Sequence, residues 1–274
     1  FFEKRVHKIT RIAPAEDEIK DIATALLGAK KPLVIAGGGV RYSEAGRTLE
    51  AFCEKHNIPF AETQNGKSAV LSSHKLNLGG VGVTGNLSAN TIAKDADLII
   101  GVGTRFSDFT TASKSLFKSD AKFATINTDR FDAYKLSAIK AVCDAKLGIE
   151  MLDKMISDYK TAYTTEIADA KKAWSEEMTK LSEYMYSDDF EPIIKARYED
   201  TIPEFVDKIG GVITQTSALA LIRKIIEIIK VINKNTGAKK RNPYKKNFLF
   251  SVRELILLCL SSFFNLNKPH SVTK

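Results

Sequence analysis

Asp97-Leu-Ile-Ile-Gly-Val-Gly103 is a short apolar run opened by an acid and closed by glycine. Its apolar residues are consecutive rather than alternating, so the strand they predict is buried on both faces. Such a strand belongs inside a parallel sheet covered by helices on either side. The closing glycines supply the turn that leads out of the sheet.

Towards the N-terminus the pattern repeats. Pro32-Leu-Val-Ile-Ala-Gly-Gly-Gly39 predicts a second buried strand feeding a tight turn, and Ile58 to Glu62 a third strand. Ahead of them, Pro14 to Lys30 predicts a helix. Pro14 suits its first turn, acids cluster early (Glu16, Asp17, Glu18), and Ile19, Ile22, Ala23 and Leu26 recur at helical spacing. Ser43 is expected to cap the next helix, whose apolar stripe (Ala45, Leu49, Phe52, Cys53) ends near Asn57.

Towards the C-terminus, Gly85 to Asn90 leads into a helix through Lys94, and Thr110 to Lys118 suits a short one. Strands are expected at Lys122 to Asn127 and Ala138 to Cys143, and a helix from Ala145 to Tyr159. Strands separated by helices imply βαβ units. The expected fold is therefore α/β, a doubly wound, Rossmann-like parallel sheet over residues 14–160. A helical C-terminal extension follows: a polar helix from Thr161 to Tyr186, a Pro-punctuated connector from Glu191 to Gly211, and a helix from Ile213 to about Asn233.

Composition excludes several function classes. A 44% hydrophobic fraction over 274 residues is enough for a globular core. The net charge of +8 is unevenly placed, because Lys224 to Lys274 holds 11 Lys or Arg against Glu227 and Glu254, a net of +9. The preceding residues therefore carry −1, and no nucleic-acid partner of the fold is expected. Cys53, Cys143 and Cys259 stand singly, without metal spacing, which favours a reducing cytoplasm over disulfides or zinc. Phe1 to Lys8 carries no apolar signal region and Phe1 is not an initiator methionine, so processing or a start within a longer reading frame is expected.

In an open parallel sheet, ligands sit beyond the carboxyl ends of the strands, where the strand order reverses. Gly37, Gly38 and Gly39 end one strand, Gly103, Thr104 and Arg105 another, and Asn127 and Asp129 a third. Glycine lets phosphates approach the backbone, and an acid can meet a ribose hydroxyl, so these residues outline a nucleotide-like groove. The alternative is structural: tight turns need glycine in any βαβ fold, and Arg105 and Asp129 suit a loop or interface ion pair. Gly37-Gly38-Gly39 is not the G-x-G-x-x-G fingerprint, and no P-loop G-x-x-x-x-G-K-[ST] occurs. His7, His56, His74 and His270 lie far apart; His56 is expected only to face a helix dipole, and His74 lies in a loop that can approach a neighbouring active site. With no nucleophile elbow, carboxylate pair or metal cluster, no catalytic or metal-binding residue is assigned.

Four segments fall in fixed order: Pro32 to Val40, Asn65-Gly-Lys-Ser-Ala69, Gly79-Gly-Val-Gly-Val-Thr-Gly-Asn86, and Ala96 to Asp108. This order resembles the central domain of thiamine-diphosphate-dependent enzymes such as acetolactate synthase and pyruvate oxidase. The stretch Glu62-Thr-Gln-Asn-Gly-Lys-Ser-Ala-Val-Leu-Ser-Ser-His74 is closest to the branch that hydrolytically opens a trihydroxycyclohexanedione in myo-inositol breakdown. The likeness runs from Phe1 to about Arg223. It implies a three-domain, homo-oligomeric enzyme using thiamine diphosphate and Mg²⁺, both held by the domains flanking this one.

On that reading residues 1–13 are a linker from an N-terminal domain that bears the activating glutamate. Residues 161–212 are a helix and connector, and residues 213–223 open a C-terminal cofactor domain. No Gly-Asp-Gly follows Thr214 to Arg223, so neither cofactor is expected to bind this chain alone. Asn65, Lys67 and His74 become a loop presented towards the substrate. Residues 224–274 are Lys-, Asn- and Ile-rich and are expected to be a shifted-frame product; their apolar run Leu255 to Phe264 is half the roughly 20 residues a membrane span needs. The alternatives are a nucleotide-binding or regulatory module without catalysis, and a basic-tailed partner of nucleic acid or membrane.

Overall fold

The structure, a computed structural model, describes residues 10–183 and 215–235. Six strands form one sheet: β1 (Pro32–Ala36), β2 (Phe60–Glu62), β3 (Asn77–Gly80), β4 (Leu98–Val102), β5 (Lys122–Asn127) and β6 (Ile139–Val142). Their order is β3-β2-β1-β4-β5-β6 and every pairing is parallel. The chain thus winds outward from β1 in one direction and from β4 in the other, which places the switch in strand order between those two. Every residue of β1 and of β4 is buried, as consecutive apolar runs require.

The helices are α1 (Glu16–Leu27), α2 (Gly38–Tyr42), α3 (Gly46–His56), α4 (Leu87–Asp95), α5 (Asp108–Thr111), α6 (Arg130–Ala133), α7 (Ala145–Met155), α8 (Glu166–Glu183) and α9 (Gln215–Asn235). Ile19, Ile22, Ala23 and Leu26 bury one face of α1. That face meets β6 and α7, and α7 also packs on α3, while α4 lies against β3. Each fully buried Leu or Ile in these layers contributes about 1.5–3 kcal/mol relative to exposure. The chain divides into two compact units at Glu176/Glu177, and the sheet lies in the first. No helix among the described residues is long and apolar enough to cross a membrane.

Several expectations need correction. Pro14 lies outside α1, because Ala15 is the N-cap residue. Ser43 does not cap α3. Its hydroxyl donates back to the Gly39 carbonyl at 2.8 Å and so terminates α2, while Ala45 sits at the N-cap of α3. The helix expected over Thr110 to Lys118 is only the single turn of α5, because Ala112, Ser113 and Lys114 all take positive φ and break it. Strand β3 was not anticipated. Its Asn77-Leu-Gly-Gly80 carries no strand signal, and pairing with β2 alone makes it a strand. The polar helix expected from Thr161 begins only at Glu166, as α8, and among the described residues the helix expected from Ile213 is α9. The connector from Glu191 to Gly211, His7, His270, Cys259 and residues 236–274 lie outside the described residues.

His56 also departs from expectation. It closes α3, but its ring is completely buried and hydrogen-bonded to Asp153 and to the Tyr159 carbonyl instead of merely facing the helix dipole. The thiols of Cys53 and Cys143 are both buried and free. Burial drives the Cys53 thiol far up, with the Glu50 carboxylate adding to it. Burial, then the carboxylates of Glu18 and Asp144, push Cys143 up to about 12. Both are inert core residues at neutral pH.

Candidate functional site

A cleft of about 940 Å³ opens at the carboxyl ends of β1, β2 and β4. Its floor is the meeting of the two glycine turns. The Gly37 amide donates to the Val102 carbonyl at 2.8 Å, the Gly39 amide to the Gly103 carbonyl at 3.0 Å, and the Gly103 amide to the Ile126 carbonyl at 2.8 Å. A Cβ on Gly37 would lie 2.2 Å from the Gly103 oxygen, and one on Gly103 would lie 2.5 Å from the Gly39 Cα. Gly103 also sits at φ +59°. Three of the four sequence-picked glycines thus have their amides engaged and leave no room for a Cβ, which on any of them would lie within 2.6 Å of another's backbone. Gly38 alone is roomy, its nearest neighbour being Asn65 at 3.5 Å from a built Cβ.

The walls carry the charge. Arg41, Lys67 and Arg105 line the cleft against a single carboxylate, Glu62. Glu62 ends β2 fully buried; it accepts from Lys67 Nζ at 3.0 Å, from the Ser68 amide at 3.1 Å and from Asn77 Nδ2 at 3.4 Å. Its charge is therefore locally compensated, and the guanidinium groups of Arg41 and Arg105 have no ion-pair partner among the described residues. The net result is an electropositive cleft. Tyr42, 85% exposed, and Phe109, 53% exposed, supply open aromatic surface at its rim. The sequence reading missed Arg41, Tyr42 and Glu62. The first two follow the glycines on a short helix whose existence had no signal, whereas an acid closing a buried strand is a legible cue for Glu62.

The sequence-picked residues divide between the cleft and other places. Asn65, Lys67, Gly38, Gly39, Gly103, Thr104 and Arg105 do meet in the cleft. Asn127 lies in a smaller cavity of about 320 Å³ beside Arg11 and Asp144. Its amide is used internally, donating to the Thr104 carbonyl at 2.9 Å and accepting from the Asp129 amide at 3.1 Å. The Asp129 carboxylate caps α6, accepting from the Asp132 amide at 2.9 Å, and does not pair with Arg105. His74 is packed away from the cleft. Its ring rests on Phe60 at 5.2 Å, its Nδ1 accepts from the Leu76 amide, and its carbonyl accepts from Lys171.

Residues 19–154 match the family described as thiamine pyrophosphate enzyme, central domain. The chain belongs to the thiamine pyrophosphate enzymes through this domain. It is 54% identical over 230 residues to a 3D-(3,5/4)-trihydroxycyclohexane-1,2-dione hydrolase of Clostridium perfringens, covering 83% of this chain and 36% of that protein. It is 47% identical over 262 residues to the enzyme of the same name from Geobacillus thermodenitrificans, covering 92% of this chain and 41% of that protein. It therefore spans 36–41% of the length of these curated relatives. Among solved structures, benzoylformate decarboxylase from Polynucleobacter necessarius aligns with a TM-score of 0.49 and 21% identity over 60% of this chain and 32% of that one.

The thiamine diphosphate of the family finds no fitting holder among the described residues. Mg²⁺ takes oxygen ligands, and a protein would hold it through one or two carboxylates beside the phosphate oxygens. Among the described residues no three His, Cys, Asp or Glu side chains converge as a metal site, and the cleft's one carboxylate is already bound by three donors. What this central domain offers instead is a rigid sheet, a cationic cleft and a loop, 63–76, tied at both ends.

Proposed function

We propose that this chain is the central-domain portion of a thiamine-diphosphate-dependent hydrolase that opens the ring of a trihydroxycyclohexanedione in myo-inositol breakdown, and that it has no catalysis of its own. The observation that carries this reading is the 54% identity, over most of the chain, to hydrolases of that name. On this reading its partners are flanking domains of the same enzyme and further copies of it, in the cytoplasm. Its residues act by placement. Glu62 holds Lys67 and the Ser68 amide, which fixes the loop carrying Asn65 at the cleft edge. Thiamine diphosphate with Mg²⁺, when bound by the intact enzyme, supplies the carbanion chemistry. Calorimetric titration of this chain with both is expected to give no binding heat; micromolar, Mg²⁺-dependent binding would overturn the assignment of cofactor holding to other domains.

The cleft supports a second reading, a nucleotide-binding or regulatory module. Arg41 and Arg105, without an ion-pair partner among the described residues, and the exposed Tyr42 ring suit phosphates and a flat base. Titration with ADP, FAD and NAD separates the two. Heat with any of them, abolished in Arg105→Ala and weakened by salt, favours the module; silence with all three leaves the architectural role.

A further inference from the structure

His56 is fully buried at the C-terminal end of α3, between two oxygens. Its Nδ1 lies 2.8 Å from the Tyr159 carbonyl oxygen and its Nε2 lies 2.7 Å from Asp153 Oδ1. A carbonyl oxygen and an ionised carboxylate can only accept. A neutral imidazole has one N–H and one lone pair, so it would satisfy one oxygen and turn its lone pair on the other. Flipping the ring would aim carbon atoms at both. A proton on Asp153 is the wrong remedy, because the same Oδ1 also accepts from Lys55 Nζ at 2.9 Å. Burial would raise the Asp153 carboxyl, but the hydrogen bonds from Lys55 and His56 outweigh it and hold it below its ordinary value.

We propose that both ring nitrogens of His56 carry protons, so that the ring donates to the Tyr159 carbonyl and to Asp153 at once and latches residues 153–163 to the end of α3. The charged groups around it are few. Lys55 and the Phe52 ring, at 5.0 Å, come from α3, and Asp153 comes from α7. Tyr159 and Lys160 come from the connection between α7 and α8. The Tyr159 phenol donates to the Ala29 carbonyl, and burial, with Asp97 adding, pushes it up to about 12, so it stays neutral. The carbonyl end of α3 favours a cation at this position. Other bonds fasten the same strap to the same helix end. The Thr161 amide donates to the His56 carbonyl at 3.2 Å, the Thr161 hydroxyl to the Asn57 carbonyl at 2.7 Å, and Asn57 Nδ2 to the Tyr163 carbonyl at 3.2 Å. Loss of either ring proton sets a lone pair against an oxygen and loosens the strap that leads into α8.

The test is nitrogen-15 NMR of the His56 ring in the full chain at neutral pH. Two protonated ring nitrogens are expected, and one bare nitrogen overturns the proposal. In Asp153→Asn the new amide can donate to Nε2, so the ring is expected to keep a proton on Nδ1 alone; a ring that stays doubly protonated there overturns it. Amide exchange at Thr161 and Ala162 reads the latch. Protection is expected to fall roughly 10- to 100-fold in Asp153→Asn, the worth of a charge-assisted hydrogen bond. Unchanged protection would show that the ring's proton does not hold the strap.

Discussion

Gly103 and Gly38 look alike in sequence and are opposite in demand. At Gly103 a methyl group would meet the Gly39 Cα at 2.5 Å and the backbone holds φ at +59°, so Gly103→Ala is expected to cost roughly 2–4 kcal/mol in urea unfolding. At Gly38 the nearest atom is 3.5 Å away, and Gly38→Ala is expected to lie within about 0.5 kcal/mol of wild type. The sequence told where glycine was needed, because a buried strand ending in glycine announces a close approach. It did not tell what approaches: two turns from distant parts of the chain meet each other, and only their packing in the sheet decides that. Arg41 and Arg105 have no ion-pair partner among the described residues. If the chain binds ADP, Arg41→Ala and Arg105→Ala should each weaken it about tenfold in calorimetry, the loss of one charge-assisted hydrogen bond.

Among the elements, those whose burial is two-sided were the legible ones. β1 and β4 are uninterrupted apolar runs, and their position in the middle of the sheet explains why. β3 is an edge strand of four residues with two glycines, so nothing local distinguishes it from loop. The helix expected after Thr110 fails for the opposite reason: its residues tolerate helix, but three successive left-handed conformations end it. The start of α8 has its own chemistry. Glu166 accepts from the Thr164 amide at 2.7 Å and pairs with Lys31 at 3.1 Å. The Thr164 and Glu166 amides, then Lys31, pull its carboxyl down from 4.5 to about 2. A depressed carboxyl stabilises the fold above its unfolded value and loses that contribution as pH falls through the folded one. Thermal melts of the wild type should therefore lose stability between pH 4.5 and about 2, and Glu166→Gln should flatten that part of the curve.

For the whole molecule, the account rests on a domain that organises a site without supplying the reacting groups. The alternation of helix and glycine-ended strand was enough to predict a doubly wound sheet, because that pattern has few other solutions in three dimensions. The order of four segments was enough to place the chain among the thiamine pyrophosphate enzymes. The site was less legible, since Arg41, Tyr42, Glu62 and Lys67 reach one cleft from separate strand ends, and their convergence exists only once β2 pairs with β1 and β4 lies on the other side. The measurement that bears most directly on this account is a chimera. Residues 14–160 of this chain would replace the matching segment of the Clostridium perfringens hydrolase, and ring opening would be followed at saturating thiamine diphosphate and Mg²⁺. The account predicts kcat within about tenfold of the parent enzyme, a change of about 1.4 kcal/mol in the barrier. A folded chimera that binds the cofactor yet opens no ring would contradict it.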